Sequence, residues 1–393
     1  MLSENAEGHT ERRRFLKLAV AGGLSTLAAS LMWKNAAAMV TGATGQREVY
    51  GIGIDDPELV QLSINENPLG ASRRAVEAVA HKLFSLNRYP PREPVLHEAI
   101  ANYHGGGITW EMVVNGVGST EILKAIAMLA MLDGKGAVEP EPGYGAIAGV
   151  AKDLNRPVTR VPVTHSLQID LEAVRKAVNK TTGIVCLTNP NNPTGQLIPH
   201  DDLVRFMTGI PESVIVCVDE AYIHFADDEQ YASMIPLTKT CPNVLVARTM
   251  SKAFGLGGMR VGYGIADPKL ITRMKPHTLG WLGRHILSDV AAIAALGDQD
   301  HIRMVRAHVL KEKAYLYDTM TGMGLKPVKT QTIFLLVDMG KDTQPIVDEL
   351  KARKVLIRRA SGMPNYLRIS IGTRAENEVF LETLKGVLGK SGV

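Results

Sequence analysis

Short runs rich in β-branched and aliphatic residues recur along this chain at positions 112–114, 183–187, 214–218, 244–247, 261–265 and 332–337, most of them bounded by Gly, Pro, Asn or Asp. Between them lie helix-like stretches such as 121–131, 171–178 and 285–296. Runs of this kind, bounded in this way, read as strands. Strands that alternate with helices imply a mostly parallel sheet covered by helices. A ligand then belongs at the carboxyl ends of the strands.

With 393 residues, 45% of them hydrophobic and 21% charged, the chain has enough apolar material for two domains and falls outside the disordered class. Its 44 Lys and Arg against 40 Asp and Glu are spread along the sequence, which argues against nucleic acid as a partner. The start is different. Arg12-Arg13-Arg14-Phe15-Leu16-Lys17 precedes an uncharged stretch from Leu18 to Trp33, and Ala36-Ala37-Ala38 follows. That order of basic, apolar and small residues marks a signal peptide over residues 1–38, removed after Ala38. The apolar part is too short and too weak for a membrane span of roughly 20 residues. Paired arginines before Phe-Leu-Lys resemble a twin-arginine (Tat) signal, which serves proteins exported already folded; a retained anchor or a basic amphipathic helix are the alternatives. Cys186, Cys217 and Cys241 form neither a disulfide framework nor a zinc pattern, and no metal is expected.

The segment Arg248-Thr249-Met250-Ser251-Lys252 follows the run at 244–247, and a Gly-rich turn leads from it to Arg260. A lysine amine attacks an aldehyde to form an imine, most readily where its surroundings depress its pKa. The hydroxyls of Thr249 and Ser251 and the guanidinium of Arg260 suit a phosphate dianion. Taken alone the segment is compatible with a surface loop, and its glycines lack the dinucleotide-binding spacing. Asn189-Pro190-Asn191-Asn192-Pro193 ends the run at 183–187 in a defined turn. Val218-Asp219-Glu220-Ala221-Tyr222 sets a carboxylate at the end of a buried strand, where it needs a cation. The protonated pyridine nitrogen of pyridoxal 5′-phosphate (PLP) is such a cation. Upstream, Gly118-Ser119-Thr120 opens an apolar helix whose free N–H groups suit an anion. Capping by Ser119 or Thr120, with no ligand, is the simpler alternative.

In this order the three segments around Asn192, Asp219 and Lys252 resemble the fold-type I PLP enzymes, and among them the class I/II aminotransferases. The resemblance covers nearly the whole chain after the leader. It implies an α/β fold: a large PLP-binding domain at 80–285 with a mostly parallel sheet flanked by helices, and a smaller α/β domain at 286–393 that residues 39–79 join. It implies that Lys252 holds the cofactor as a Schiff base and shuttles the substrate proton. Asp219 pairs with the ring nitrogen, and Asn192 and Tyr222 bond the ring oxygen. Gly118, Ser119, Thr120, Thr249, Ser251 and Arg260 hold the phosphate. Tyr144 stacks on the ring, although an ordinary buried tyrosine fits that sequence nearly as well. Tyr89 reaches the cofactor phosphate of a neighbouring subunit, which makes the enzyme a homodimer. Arg368, within the alternating stretch Tyr366-Leu367-Arg368-Ile369-Ser370, grips the substrate carboxylate, and Asn67 adds a substrate contact.

Within the class, Asn65-Glu66-Asn67-Pro68-Leu69-Gly70 and the stretch from Leu367 to Arg374 are similar to histidinol-phosphate aminotransferases. One departure stands out: a second arginine expected about one helical stretch beyond Arg368 is absent, and Val379 stands there. The implied reaction moves an amino group between a small-molecule amino donor and a 2-oxo acid acceptor. A PLP-dependent C–S lyase or decarboxylase would use the same lysine, aspartate and phosphate groups. Together with the leader, these readings describe a periplasmic enzyme that the Tat machinery exports folded around PLP.

Overall fold

The computed structural model describes Asp56 and residues 58–390; the leader expected at 1–38 and most of the connection after it lie outside the described residues. Thirteen strands are described: β1 (Val60–Gln61), β2 (Val113–Val117), β3 (Gly136–Glu141), β4 (Val158–Pro162), β5 (Thr182–Thr188), β6 (Ile215–Asp219), β7 (Val244–Thr249), β8 (Val261–Ala266), β9 (Lys326–Val328), β10 (Phe334–Asp338), β11 (Val355–Leu356), β12 (Arg358–Ala360) and β13 (Met363–Ser370).

Strands β2 to β8 form a seven-stranded sheet in the order β2-β8-β7-β6-β5-β3-β4. Pairings are parallel except for β8, which runs antiparallel to both β7 and β2. In β5 and β6 every residue is buried, and alternate side chains part company. Ile184, Cys186, Ile215 and Cys217 face the core beneath the helix Gly118–Met131, whereas Val185, Leu187, Val216 and Val218 face the larger core on the other side. Two covered faces explain why these strands read as unbroken apolar runs. Two strands of the sheet escaped that reading. β3 carries Glu139 and Pro140, and β4 is an edge strand with mostly exposed positions. Pro140 is tolerated because the β3–β5 pairing covers only Gly136 to Val138, so no ladder bond is asked of its nitrogen.

A second, four-stranded antiparallel sheet has the order β12-β13-β10-β9. A two-stranded parallel sheet pairs β1 with β11, tying residues 60–61 to 355–356. The helix Arg73–Lys82 packs on the helix Ile286–Leu296. These contacts bring the segment after β1 and the strand β13 to the carboxyl ends of the parallel strands. Among the described residues no helix is long and apolar enough to cross a membrane, and no group of three or more His, Cys, Asp or Glu could hold a metal ion.

Candidate active site

A cavity of about 320 Å³ opens at the carboxyl ends of β5, β6 and β7 and is closed from above by residues 64–66 and by Arg358 and Arg368. Lys252 is among its lining residues. Its Nζ donates to the carbonyls of Ile64 (3.0 Å) and Asn65 (2.8 Å). Burial, then the guanidinium of Arg368, lowers its pKa to about 8, so a sizeable fraction of the amine is free to act as a nucleophile near neutrality.

Asp219 ends β6 and is 2% exposed. Its Oδ1 accepts a single backbone N–H, from Ala221 at 3.2 Å. Burial raises the carboxyl to about 7, with the neighbouring Glu220 adding to the rise and Lys252 opposing it. A buried carboxyl with so little compensation is poised for a cation from the cavity. Glu220 points the other way, into a buried pair with Arg248: Nη2 to Oε2 is 2.7 Å, and Ser233 Oγ and Met234 N also donate to the carboxylate.

Arg260 stands in the left-handed region at φ 55° and sends Nη1 to Gly257 O (2.8 Å) and Ser251 Oγ (3.4 Å). Its guanidinium fills the space that a side chain at 118 would need: a Cβ there would stand 2.5 Å from Nη2. Thr249 Oγ1 donates to Ser251 Oγ at 3.0 Å, which leaves the Ser251 hydrogen free to donate into the cavity. The helix Gly118–Met131 begins beside these groups with Val117 as its cap residue, and neither Ser119 nor Thr120 caps it. The alternative of a hydroxyl cap from Ser119 or Thr120 is therefore not met, and the first-turn N–H groups at this helix end suit an anion. Glu121 takes over part of the capping task by accepting from Val117 N at 2.6 Å.

Tyr222 is 4% exposed, and burial pushes its phenol up to about 12. Its oxygen accepts from Asn65 Nδ2 (3.0 Å) and Asn192 Nδ2 (3.5 Å). Arg368, on β13, donates from Nη1 to Asn192 Oδ1 (3.0 Å) and from Nη2 to Ser63 O (2.8 Å), while its buried Nε has no hydrogen-bond partner. Burial lowers the Arg368 pKa, the signature of a cation short of an anion.

Of the residues expected from sequence, Lys252, Asp219, Tyr222, Asn192, Ser119, Thr120, Tyr144, Thr249, Ser251, Arg260 and Arg368 line this one cavity. Gly118 contributes as the floor under Arg260. Asn67 does not line it: its amide is spent on Ala253 O (2.9 Å) and Leu69 N (2.9 Å). The residue two positions earlier, Asn65, does. Tyr89 is 73% exposed, lies against Trp281 with ring centroids 5.4 Å apart and planes tilted by 41°, and is outside the cavity of its own chain. Sequence reasoning also missed Thr188 and Arg358. Arg358 ends an apolar run and pairs in register with Arg368 across β12 and β13. That register places a second arginine in the cavity lining, whereas Val379 is 46% exposed and not among the lining residues.

The arrangement fits a phosphorylated pyridine aldehyde. The Gly118 floor with Arg260 and Ser251 offers a phosphate cradle, Asp219 a partner for a ring N–H, Tyr222 a hydroxyl, and Lys252 an amine. The unpartnered Nε of Arg368 then remains for a substrate carboxylate.

The sequence matches the family profile described as "Aminotransferase class I and II" over residues 57–384. Histidinol-phosphate aminotransferase of Symbiobacterium thermophilum is 35% identical over 352 residues, spanning 88% of this chain and 93% of that protein. That of Bacillus licheniformis is 35% identical over 334 residues, spanning 84% and 91%. Among solved structures, histidinol-phosphate aminotransferase from Sinorhizobium meliloti in complex with pyridoxal-5′-phosphate superposes with a TM-score of 0.77 at 27% identity, covering 84% of this chain and 92% of that one.

Proposed function

Because the chain belongs to the class I and II aminotransferases, with the fold of the fold-type I PLP enzymes, we propose that its cavity binds PLP and moves an amino group between an amino donor and a 2-oxo acid. The observation that carries the reading is the convergence of Lys252, Asp219, Tyr222, Arg260 and Arg368 on one cavity, each with an unmet chemical need. When bound, PLP supplies an electron sink for the pair left as the substrate Cα–H bond breaks.

The protein's residues supply the rest. Lys252 would supply the amine that anchors the aldehyde carbon, and its Nζ would take and return the substrate Cα proton. Asp219 holds the proton on the ring nitrogen, and the loss of its desolvation penalty on pairing favours loading. Arg260, Ser251, Thr249 and the helix terminus at Ser119 and Thr120 hold the phosphate. Arg368 would hold the substrate's anion, a carboxylate in an amino acid, and so fix which Cα bond faces Lys252.

The cavity lining counts four cationic side chains, Lys252, Arg260, Arg358 and Arg368, against the carboxyls of Glu66 and Asp219. With Arg260 assigned to the cofactor, Arg358 and Arg368 stand opposite each other for the substrate's own anions, whether the carboxylates of an amino acid or the single phosphate of histidinol phosphate, which has no carboxylate. The test is a half-reaction screen that follows the cofactor's visible absorbance across amino donors, with histidinol phosphate, histidinol and glutamate as key members. We expect phosphorylated or dicarboxylic donors to be preferred and Arg358→Ala to reduce the preference for histidinol phosphate over histidinol by about tenfold, Arg368 keeping part of it. A variant that keeps that preference in full would sink the assignment.

Two further expectations belong to this proposal. Segments 83–92 and 279–284 expose Phe84, Leu86, Tyr89, Leu279 and Leu282 and meet through the tilted Tyr89–Trp281 ring contact, which supports a homodimer with Tyr89 reaching a partner's site. Sedimentation equilibrium checks it. Export through the Tat route, proposed from the sequence of residues 1–38, is tested by fusing that segment to a reporter active only outside the cytoplasm; a twin Arg→Lys change should abolish the signal.

A further inference from the structure

The Tyr222 phenol is surrounded by groups whose own orientation is fixed by third partners. Asn65 N donates to Ser370 Oγ at 2.8 Å, so that hydroxyl turns its hydrogen to its other neighbour, Asn65 Oδ1, at 3.0 Å. The amide oxygen of Asn65 therefore faces Ser370 and its NH₂ faces Tyr222. On the other side, a guanidinium can only donate, and Arg368 Nη1 stands 3.0 Å from Asn192 Oδ1. The NH₂ of Asn192 is thus also turned toward Tyr222. A phenol has one hydrogen and two lone pairs. With two amide donors directed at its oxygen, Tyr222 has one way to use its hydrogen, and that is outward into the cavity.

Asn65 is suited to the task by its backbone as well. It sits at φ 58°, where asparagine is among the few residues tolerated, and is 2% exposed. Its carbonyl meanwhile holds the amine of Lys252.

Resting on the PLP reading above, we propose that Asn65 is a positioning residue that sets Tyr222 as an obligatory hydrogen-bond donor toward the cofactor's ring oxygen. Its neighbour in the sequence motif, Asn67, has no such part. A donor on that oxygen stabilises its anionic form, and so lowers the pH at which the imine between Lys252 and the cofactor loses its proton.

The experiment is a pH titration of the visible absorbance of holoenzyme, wild type against Asn65→Asp, Ser370→Ala and Tyr222→Phe, with the double variant Asn65→Asp/Tyr222→Phe. A carboxylate at 65 only accepts, so it draws the Tyr222 hydrogen back from the cavity. Asn65→Asp and Tyr222→Phe should each raise the titration midpoint by roughly one pH unit, the size expected for one hydrogen bond to a charged group. The double variant should exceed Tyr222→Phe by less than Asn65→Asp shifts wild type, because Asn65 acts through that hydroxyl while the new carboxylate also favours the nearby protonated imine by its charge in either background. Ser370→Ala, which only frees the Asn65 amide to rotate, should give a smaller upward shift and keeps the test open if Asn65→Asp fails to fold. An unmoved midpoint in both Asn65→Asp and Ser370→Ala overturns the role of Asn65. So does an equal shift from Asn65→Asp in the Tyr222→Phe background, which would mean a merely structural effect. A wild type without any cofactor band overturns the PLP reading itself, and this proposal with it.

Discussion

Replacing Asp219 by Asn should stabilise the cofactor-free protein while it disables the enzyme. The carboxyl is 2% exposed and raised to about 7, against 3.8 for the free side chain. A raised acid pKa means that the fold holds the proton more tightly than the unfolded chain does. The associated stability is complete below 3.8, falls as pH rises, and is gone above about 7. With 1.36 kcal/mol per unit, the charged carboxylate costs the folded state about 4 kcal/mol at pH 8 and about 1.5 kcal/mol at pH 5. Asn has the shape of the neutral acid and no charge to desolvate. Urea unfolding of cofactor-free wild type and Asp219→Asn at both pH values gives the gain directly, and subtracting the two proteins cancels every other titrating group. The expected gain is about 4 kcal/mol at pH 8, shrinking by more than 2 kcal/mol at pH 5. A gain equal at both pH values, or none, refutes the desolvation argument. Loaded with PLP, the order should reverse, since the ring N–H loses its ion pair.

Glu220 and Arg248 are 1% and 5% exposed, so Glu220→Gln strands a buried guanidinium and should cost about 3–5 kcal/mol by denaturant unfolding, with Glu220→Gln/Arg248→Met recovering much of it. His104 and His224 are each lowered to about 3, chiefly by burial and next by Arg248. A depressed base contributes stability above its free value of 6.5 that is lost as pH falls toward about 3, so wild type should lose about 2 kcal/mol per histidine between pH 7 and 5. His224→Asn should remove one such share from the pH dependence measured by chemical unfolding. Gly255 lies at φ 67°, and a Cβ there would run into the Gly70 carbonyl, so Gly255→Ala should lower stability by more than about 2 kcal/mol and loosen Lys252, seen as weaker PLP binding.

Much of the site was legible because its residues are chemically expensive. An aspartate closing the buried run at 214–218 and a lysine between hydroxyls and glycines make little sense without a ligand, and both stand in the cavity. What sequence could not supply was register and rotation. Asn65 and Asn67 sit two residues apart in one motif, and only the left-handed turn at 65 decides which amide faces inward. Arg358 joins the site through its pairing opposite Arg368 in the β12–β13 hairpin, a register set by the bulge between Arg359 and Ala360 that sequence does not announce. β3 was hidden by Glu139 and Pro140, residues that a sheet accepts there because one edge of the strand is free beyond Val138. Tyr89 is a different case, since its expected partner is another molecule.

The bonds that tie Asn65 to Ser370 join positions 305 residues apart. Synthesis runs from one end to the other, so Tyr222 and Lys252 leave the ribosome long before the strand that completes their surroundings. Cofactor capture is therefore an event of the finished chain. Any nascent fragment that stops before Ser370 would offer PLP a lysine and a phosphate cradle without the closure that retains it, and a stalled or truncated product should emerge colourless.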